Sequence, residues 1–341
     1  MKRLMHILLT STLLAVLAAT AQEAPEIRFD SVPNPLQLPS DLYLGEVSGV
    51  ATNSHGDLFV FTRTGHPMVS IGSSRPFARG GSRLFQFDRT GKYVREIGKD
   101  SYGFMVAAQV RVDPRDNIWA VDEMTGMVIK FDPQGRVEML LGRKPENVNV
   151  PARAPAGAGA GQPTDLFDRP TDVAWDAAGN IFVADGLGNA RIAKFDKDGR
   201  FVKSWGKRGT GPGEFANVRS IAVDAEGNVY AADGGNRRVE VFDNDGAFKT
   251  AFTNVGNAQA VCLTKGANPV LYVSNSNPPD DIDRDGEIFK LRLNGTMIGK
   301  FGRAGKLPKE FGTVNAIDCG SENTLWVGEI GNYRVQKLVL H

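Results

Sequence analysis

Val173-Ala174-Trp175-Asp176 is followed by Gly179-Asn180-Ile181-Phe182-Val183-Ala184-Asp185, Asn189, Arg191-Ile192, Phe195-Asp196 and Gly199. The same pattern returns as Ile221-Ala222-Val223-Asp224, Gly227-Asn228-Val229-Tyr230-Ala231-Ala232-Asp233, Asn236, Arg238-Val239, Phe242-Asp243 and Gly246. Weaker copies begin at Val50, Val110, Val261 and Ile317, which makes six. The period of roughly 40 to 60 residues is that of propeller blades and solenoids. Within each copy, short alternating apolar runs are separated by Asp/Asn/Gly turns such as Ala225-Glu226-Gly227-Asn228. There the positive backbone φ suits Gly and Asn, so each copy reads as three or four antiparallel strands.

A four-stranded sheet cannot bury both faces alone, whereas six stacked radially bury them all and leave only short edges. The fold class is therefore all-β, a six-bladed β-propeller. The last copy stops after Arg334-Val335-Gln336-Lys337-Leu338-Val339 without an outer strand, and Glu26-Ile27-Arg28-Phe29-Asp30 precedes the first copy without a unit of its own. The N-terminal segment is expected to close the ring. Pro151 to Pro163, rich in Pro, Ala and Gly, reads as a surface loop because the repeat resumes in register after it.

Lys plus Arg number 40 against 39 Asp plus Glu, for a net charge of +1, so no bulk field would hold a polyanion and nucleic acid is not an expected partner. Lys2 and Arg3 precede an apolar run from Leu4 through Leu17, and Ala19-Thr20-Ala21 supplies the small-x-small pattern read by a signal peptidase. Residues 1–21 are expected to be a signal peptide, and 22–341 a single propeller domain. The mature protein is then secreted or periplasmic, with no membrane span.

Gly211-Pro212-Gly213-Glu214-Phe215, Pro170-Thr171-Asp172-Val173-Ala174 and the Asp-Gly-x-x-Asn-x-Arg segments resemble NHL repeats. Gly45-Glu46-Val47-Ser48-Gly49-Val50, Phe61-Thr62-Arg63-Thr64-Gly65-His66 and Asp185-Gly186-Leu187-Gly188-Asn189-Ala190-Arg191-Ile192 are similar to peptidyl-α-hydroxyglycine α-amidating lyase, over nearly the whole mature chain. The resemblance implies a zinc held by one His from each of three inner strands, at positions that fall here on Ala108, Arg219 and Asn315. None of the three supplies an imidazole. A calcium-binding Asp falls on Ala316, a catalytic Tyr on Leu187 and a second Arg on Gly234; only Arg63 matches.

Fold does not carry chemistry with it. Two residues before each inner-strand anchor stand Ser48, Ala108, Thr171, Arg219, Gln259 and Asn315. Hydroxyl, amide and guanidinium groups in such a ring suit a small anion or a peptide carboxylate; a water-filled channel is the alternative. Arg63 has two readings, a ligand-facing base or a partner for a neighbouring blade's carboxylate. Together Arg63, Thr171, Arg219, Gln259 and Asn315 form the candidate ligand site.

The repeat register assembles neither paired carboxylates nor a nucleophile with its base. The expected function is a ligand-, peptide- or protein-binding module, with a lyase-like enzyme using a relocated metal as the alternative. Zinc is not an expected cofactor.

Asp281, Asp283, Asp285 and Gly286 reproduce the first half of a calcium loop, but position twelve is Arg292 and no helices flank it. Calcium binding there is expected to be weak at most. Cys262 and Cys319 lie on adjacent inner strands, one residue out of register, which favours two buried thiols over the disulfide that the expected compartment would allow.

Overall fold

In the computed structural model the described residues are 24–64, 68–71, 75–78, 81–142, 166–278, 281–321 and 323–341. The expected leader, His66 and the Pro151–Pro163 tract lie outside them. Six four-stranded antiparallel sheets form the blades, numbered I to VI in chain order. Their inner strands are Glu46–Thr52, Ala107–Val112, Asp172–Trp175, Val218–Val223, Ala258–Leu263 and Val314–Ser321. In blade III the second strand, Ile181–Asp185, is buried throughout, whereas the outermost, Phe201–Trp205, alternates between partly buried and exposed residues. That is the pattern of a sheet covered on both faces inside and half-solvated at the rim.

Blade VI completes itself with the N-terminal strand Phe29–Val32, which pairs with Arg334–Leu340 from Phe29↔Leu340 to Val32↔Lys337. Closure by the chain's beginning is what the missing outer strand of the last repeat required. The Phe29 ring then lies 5.1 Å from that of Phe301 in blade V, tilted by 54°, so the closing strand also covers apolar surface of its neighbour.

The repeated turn residues work as the composition implied. Asp224 accepts the backbone N–H groups of Gly227 and, through its side chain, Asn228, while Gly227 takes φ of +86°. A side chain at that φ is strained, which fixes Gly in the turn. The tryptophans pack blades together: Trp119 lies 5.3 Å from Trp175 across blades II and III, and Trp205 lies 6.1 Å from Phe242 across III and IV.

The expectation of two thiols is overturned. Cys262 and Cys319 form a disulfide between the inner strands of blades V and VI. The strict two-residue alternation behind that expectation fails because both strands are bulged, between Ala258 and Val261 and between Asp318 and Ser321. A bulge inserts a residue without a partner and changes which face the following side chains occupy.

Candidate functional site

The same irregularity builds the mouth of the channel. In blade I, Val47 and Gly49 oppose Thr62 and Phe61, leaving Ser48 as an extra residue. Ala108, Arg219 and Asn315 are the corresponding extra residues of blades II, IV and VI. Gln259 lies in the bulge of blade V, and Thr171 immediately precedes the strand of blade III. A bulge re-aims the side chain it carries. The positions picked from the repeat are therefore one structural ring, and three of them are those where the lyase resemblance implies imidazoles.

The ring's members are engaged very differently. Thr171 Oγ1 donates to Val218 O at 2.8 Å and joins blades III and IV. Asn315 Nδ2 donates to Ser48 O at 2.6 Å and Ala108 O at 3.2 Å, tying blade VI to I and II. Gln259 donates to Asn257 Oδ1. Ser48 is fully buried and donates to Phe61 O. These polar groups are committed to the scaffold. Arg219 is the exception: among the described residues it makes no hydrogen bond, and its Nε is buried without an acceptor. Burial lowers its pKa, with Glu123 favouring the charge and Arg63 and Arg169 opposing it.

Arg63 owes its orientation to a break in the repeat. The last residue of the second strand is Asp122 in blade II, Asp185 in III, Asp233 in IV, Asn275 in V and Glu329 in VI. Each accepts backbone N–H groups of the loop entering its own blade, as Asp122 does from Met105 and Val106. Blade I carries Arg63 there, paired in register with Glu46. A guanidinium cannot accept those bonds. It donates instead to Ala107 O at 2.8 Å and sits 3.3 Å from Glu46 and 3.6 Å from Glu123 of blade II. Arg63 thus pairs with a carboxylate of its own blade and one of the next, at the edge of the mouth.

Sequence reasoning missed Arg169, Glu46 and Glu123. Arg169 stands just before Pro170 with φ of +58°, donates to Leu187 O at 3.1 Å, lies 3.8 Å from Asp168, and also has a buried Nε without an acceptor. The repeat-like stretch entering blade III begins at Pro170, one residue after Arg169, so the pattern did not mark it.

Beneath the ring, Arg111 of blade II reaches across the channel. It makes two bonds to Asp172 of blade III, at 2.9 and 2.6 Å, and one to Ser220 of blade IV at 3.1 Å. It also donates to Val261 O of blade V and Ile317 O of blade VI, each at 3.3 Å. Five blades meet at one guanidinium, which lies across the channel beneath the ring.

The acidic loop does not assemble a cation cage. Asp281 accepts the N–H of Asp283 and lies 3.9 Å from Arg284, while Asp285 faces Arg237 of blade IV at 3.7 Å. Among the described residues no three His, Cys, Asp or Glu side chains form a metal-ligand group. The residues at the zinc positions of the resemblance do not fit zinc either: Ala108 has no ligand atom, and Arg219 brings a fixed positive charge with no carboxylate bonded to it.

A family described as a 6-bladed beta-propeller matches residues 166–276. Peptidyl-glycine alpha-amidating monooxygenase B of Xenopus laevis is 28% identical over 308 residues, covering 85% of this chain and 33% of that protein. Peptidyl-alpha-hydroxyglycine alpha-amidating lyase 1 of Drosophila melanogaster is 28% identical over 273 residues, covering 73% and 47%. The chain thus spans about a third of the length of the monooxygenase relatives it matches. A solved streptogramin B lyase superposes with a TM-score of 0.57 at 13% identity, over 92% of this chain and 98% of that one, a likeness of fold alone. The protein is a six-bladed β-propeller. Within that class it is homologous to the amidating monooxygenases and hydroxyglycine amidating lyases, and to NHL repeat-containing proteins.

Proposed function

We propose that this propeller is an extracytoplasmic binding module, secreted or periplasmic, that takes a single carboxylate, as a small anion or a peptide C-terminus, at the mouth of its channel. The buried, unbonded Nε of Arg219 carries this reading. A buried donor without a partner costs about 1–3 kcal/mol, more for a charged group, and a ligand carboxylate relieves that cost with a charge-assisted bond. Arg63 pairs with Glu46 and Glu123, and Arg169 lies beside Asp168, so that among the described residues Arg219 is the mouth guanidinium with no carboxylate bonded to it, which favours a monovalent group over a polyanion. The disulfide suits an oxidising compartment.

A titration comparing a peptide bearing a free C-terminal carboxylate with its C-terminal amide tests the reading. Binding of the acid with at least tenfold preference over the amide supports it; equal binding of both refutes it. The similarity to lyases over most of the chain favours a second reading, an amidating-lyase-like enzyme with a relocated metal. Release of glyoxylate from a peptidyl-α-hydroxyglycine would establish that reading in place of the first.

A further inference from the structure

Two residues before each member of the mouth ring stands a second set: Glu46, Val106, Arg169, Asn217, Asn257 and Thr313. Three of these side chains brace the loop that follows the second strand of their own blade. Asn217 Oδ1 accepts Gly235 N at 2.8 Å in blade IV, and Asn257 Nδ2 donates to Ser276 O at 3.0 Å in blade V. Arg169 does the same in blade III, where its Nη2 donates to Leu187 O at 3.1 Å. One amide group suffices for that task in blades IV and V, and a guanidinium brings more donors than the task uses. Among the described residues Arg169 Nη1 makes no bond, and Nε is buried without an acceptor.

The backbone that carries these donors is pinned. Asp168 N donates to Asp185 Oδ1 at 2.8 Å, and Gly188 N donates to Asp168 O at 2.9 Å. Arg169 itself holds φ of +58° before Pro170, a conformation that only a well-determined loop imposes on a residue with a side chain. Thr313 shares the positive φ, so the turn belongs to the architecture, while the arginine is particular to blade III.

Arg169 and Arg219 are neighbours with different charge balance. Thr171, two residues after Arg169, donates to Val218 O, and the charge of Arg169 acts on that of Arg219. Arg219 has no carboxylate bonded to it. Arg169 has Asp168 at 3.8 Å from its Nε, too far to accept a hydrogen bond and near enough to offset the charge. Arg169 therefore offers spare hydrogen-bond donors and not a second free cation, which suits an uncharged oxygen.

We infer that Arg169 is a specificity-determining residue of the mouth: Arg219 takes the ligand's carboxylate, and Arg169 donates to an uncharged amide carbonyl beside it. The site then selects N-acylated amino acids, a peptide C-terminus among them, over plain carboxylates. This rests on the carboxylate reading above and narrows it. Donors set to meet a ligand oxygen discriminate against the analogue without one, because they are then left unpaired.

The probes are N-acetylglycine and pentanoate, which has the same chain length and no amide, each titrated calorimetrically into the whole protein. Wild type should prefer N-acetylglycine by roughly tenfold. Arg169→Gly suits the positive φ, Arg169→Asn tolerates it, and Arg208 still donates to Leu187 O at 2.9 Å, so both variants should keep the wild-type melting temperature. Both should bind N-acetylglycine no better than pentanoate, with pentanoate affinity unchanged, while Arg219→Ala weakens both probes alike. Equal binding of the two probes by wild type, or an undiminished preference in both Arg169 variants, overturns the inference and leaves the carboxylate reading standing. Unchanged binding of both probes by Arg219→Ala overturns that reading and the inference with it.

Discussion

Arg111 and Asp172 are joined by two hydrogen bonds inside the ring, Nε to Oδ1 at 2.9 Å and a terminal nitrogen to Oδ2 at 2.6 Å. Asp172 is fully buried and accepts in addition from Ser220 Oγ and from the N–H groups of Val173 and Ile221. Burial of two charges is costly unless the remaining acceptors and donors are filled, and here blades II to VI fill them.

Arg111→Ala is therefore expected to destabilise by about 3–5 kcal/mol, the range for removing one partner of a buried pair. A thermal or urea melt measures it. An Arg111→Ala protein that melts within a degree or two of wild type would show that the guanidinium is not what joins the inner strands.

The Cys262–Cys319 disulfide closes a loop of 57 residues between the last two blades. In the chain-entropy picture, constraining such a loop in the unfolded chain stabilises by about 4 kcal/mol. The Cys262→Ser, Cys319→Ser double variant should melt well below wild type in non-reducing buffer. Wild type in reductant should fall to the level of the variant. Equal melting of wild type and variant in the absence of reductant would contradict this.

How much of this was legible depended on whether the repeat was obeyed. Val173 to Gly199 and Ile221 to Gly246 announced blades because strand alternation and Asp-x-x-Gly turns are local, and local rules survive into the fold. The missing outer strand at Leu338 and the orphan segment at Phe29 pointed to each other for the same reason. Ser48, Arg219 and Asn315 could be aligned by counting, but counting could not show that a bulge re-aims them, or that Asn315 would be committed to two carbonyls while Arg219 bonds to none of the described residues. Arg111 was passed over because it looks like an ordinary strand residue; its role exists only once five blades converge. The cysteines were misjudged where the period of two is broken.

Glu240 gives a pH signature. It is fully buried in blade IV, lies 3.1 Å from Arg238 and accepts Gly213 N, yet burial pushes its pKa up to about 7. Its unfolded value is near the ordinary 4.5. Between these values the folded state holds more protons than the unfolded state, so Glu240 lowers stability as pH rises from about 4.5 to about 7, by on the order of 1–3 kcal/mol. Glu240→Gln should flatten that part of the stability–pH curve, read as melting temperature at pH 5, 6 and 7. A variant with the wild-type slope would place the titration elsewhere.

The most direct test of the account is the affinity of Arg219→Ala for a peptide with a free C-terminal carboxylate, measured beside wild type and Arg219→Lys. Loss of one charge-assisted bond to a partly buried carboxylate corresponds to about 1.5–3 kcal/mol, or roughly ten- to a hundredfold. The account predicts that weakening in Arg219→Ala, with partial recovery in Arg219→Lys and no change in affinity for the C-terminal amide. Undiminished binding of the free acid by Arg219→Ala would contradict it.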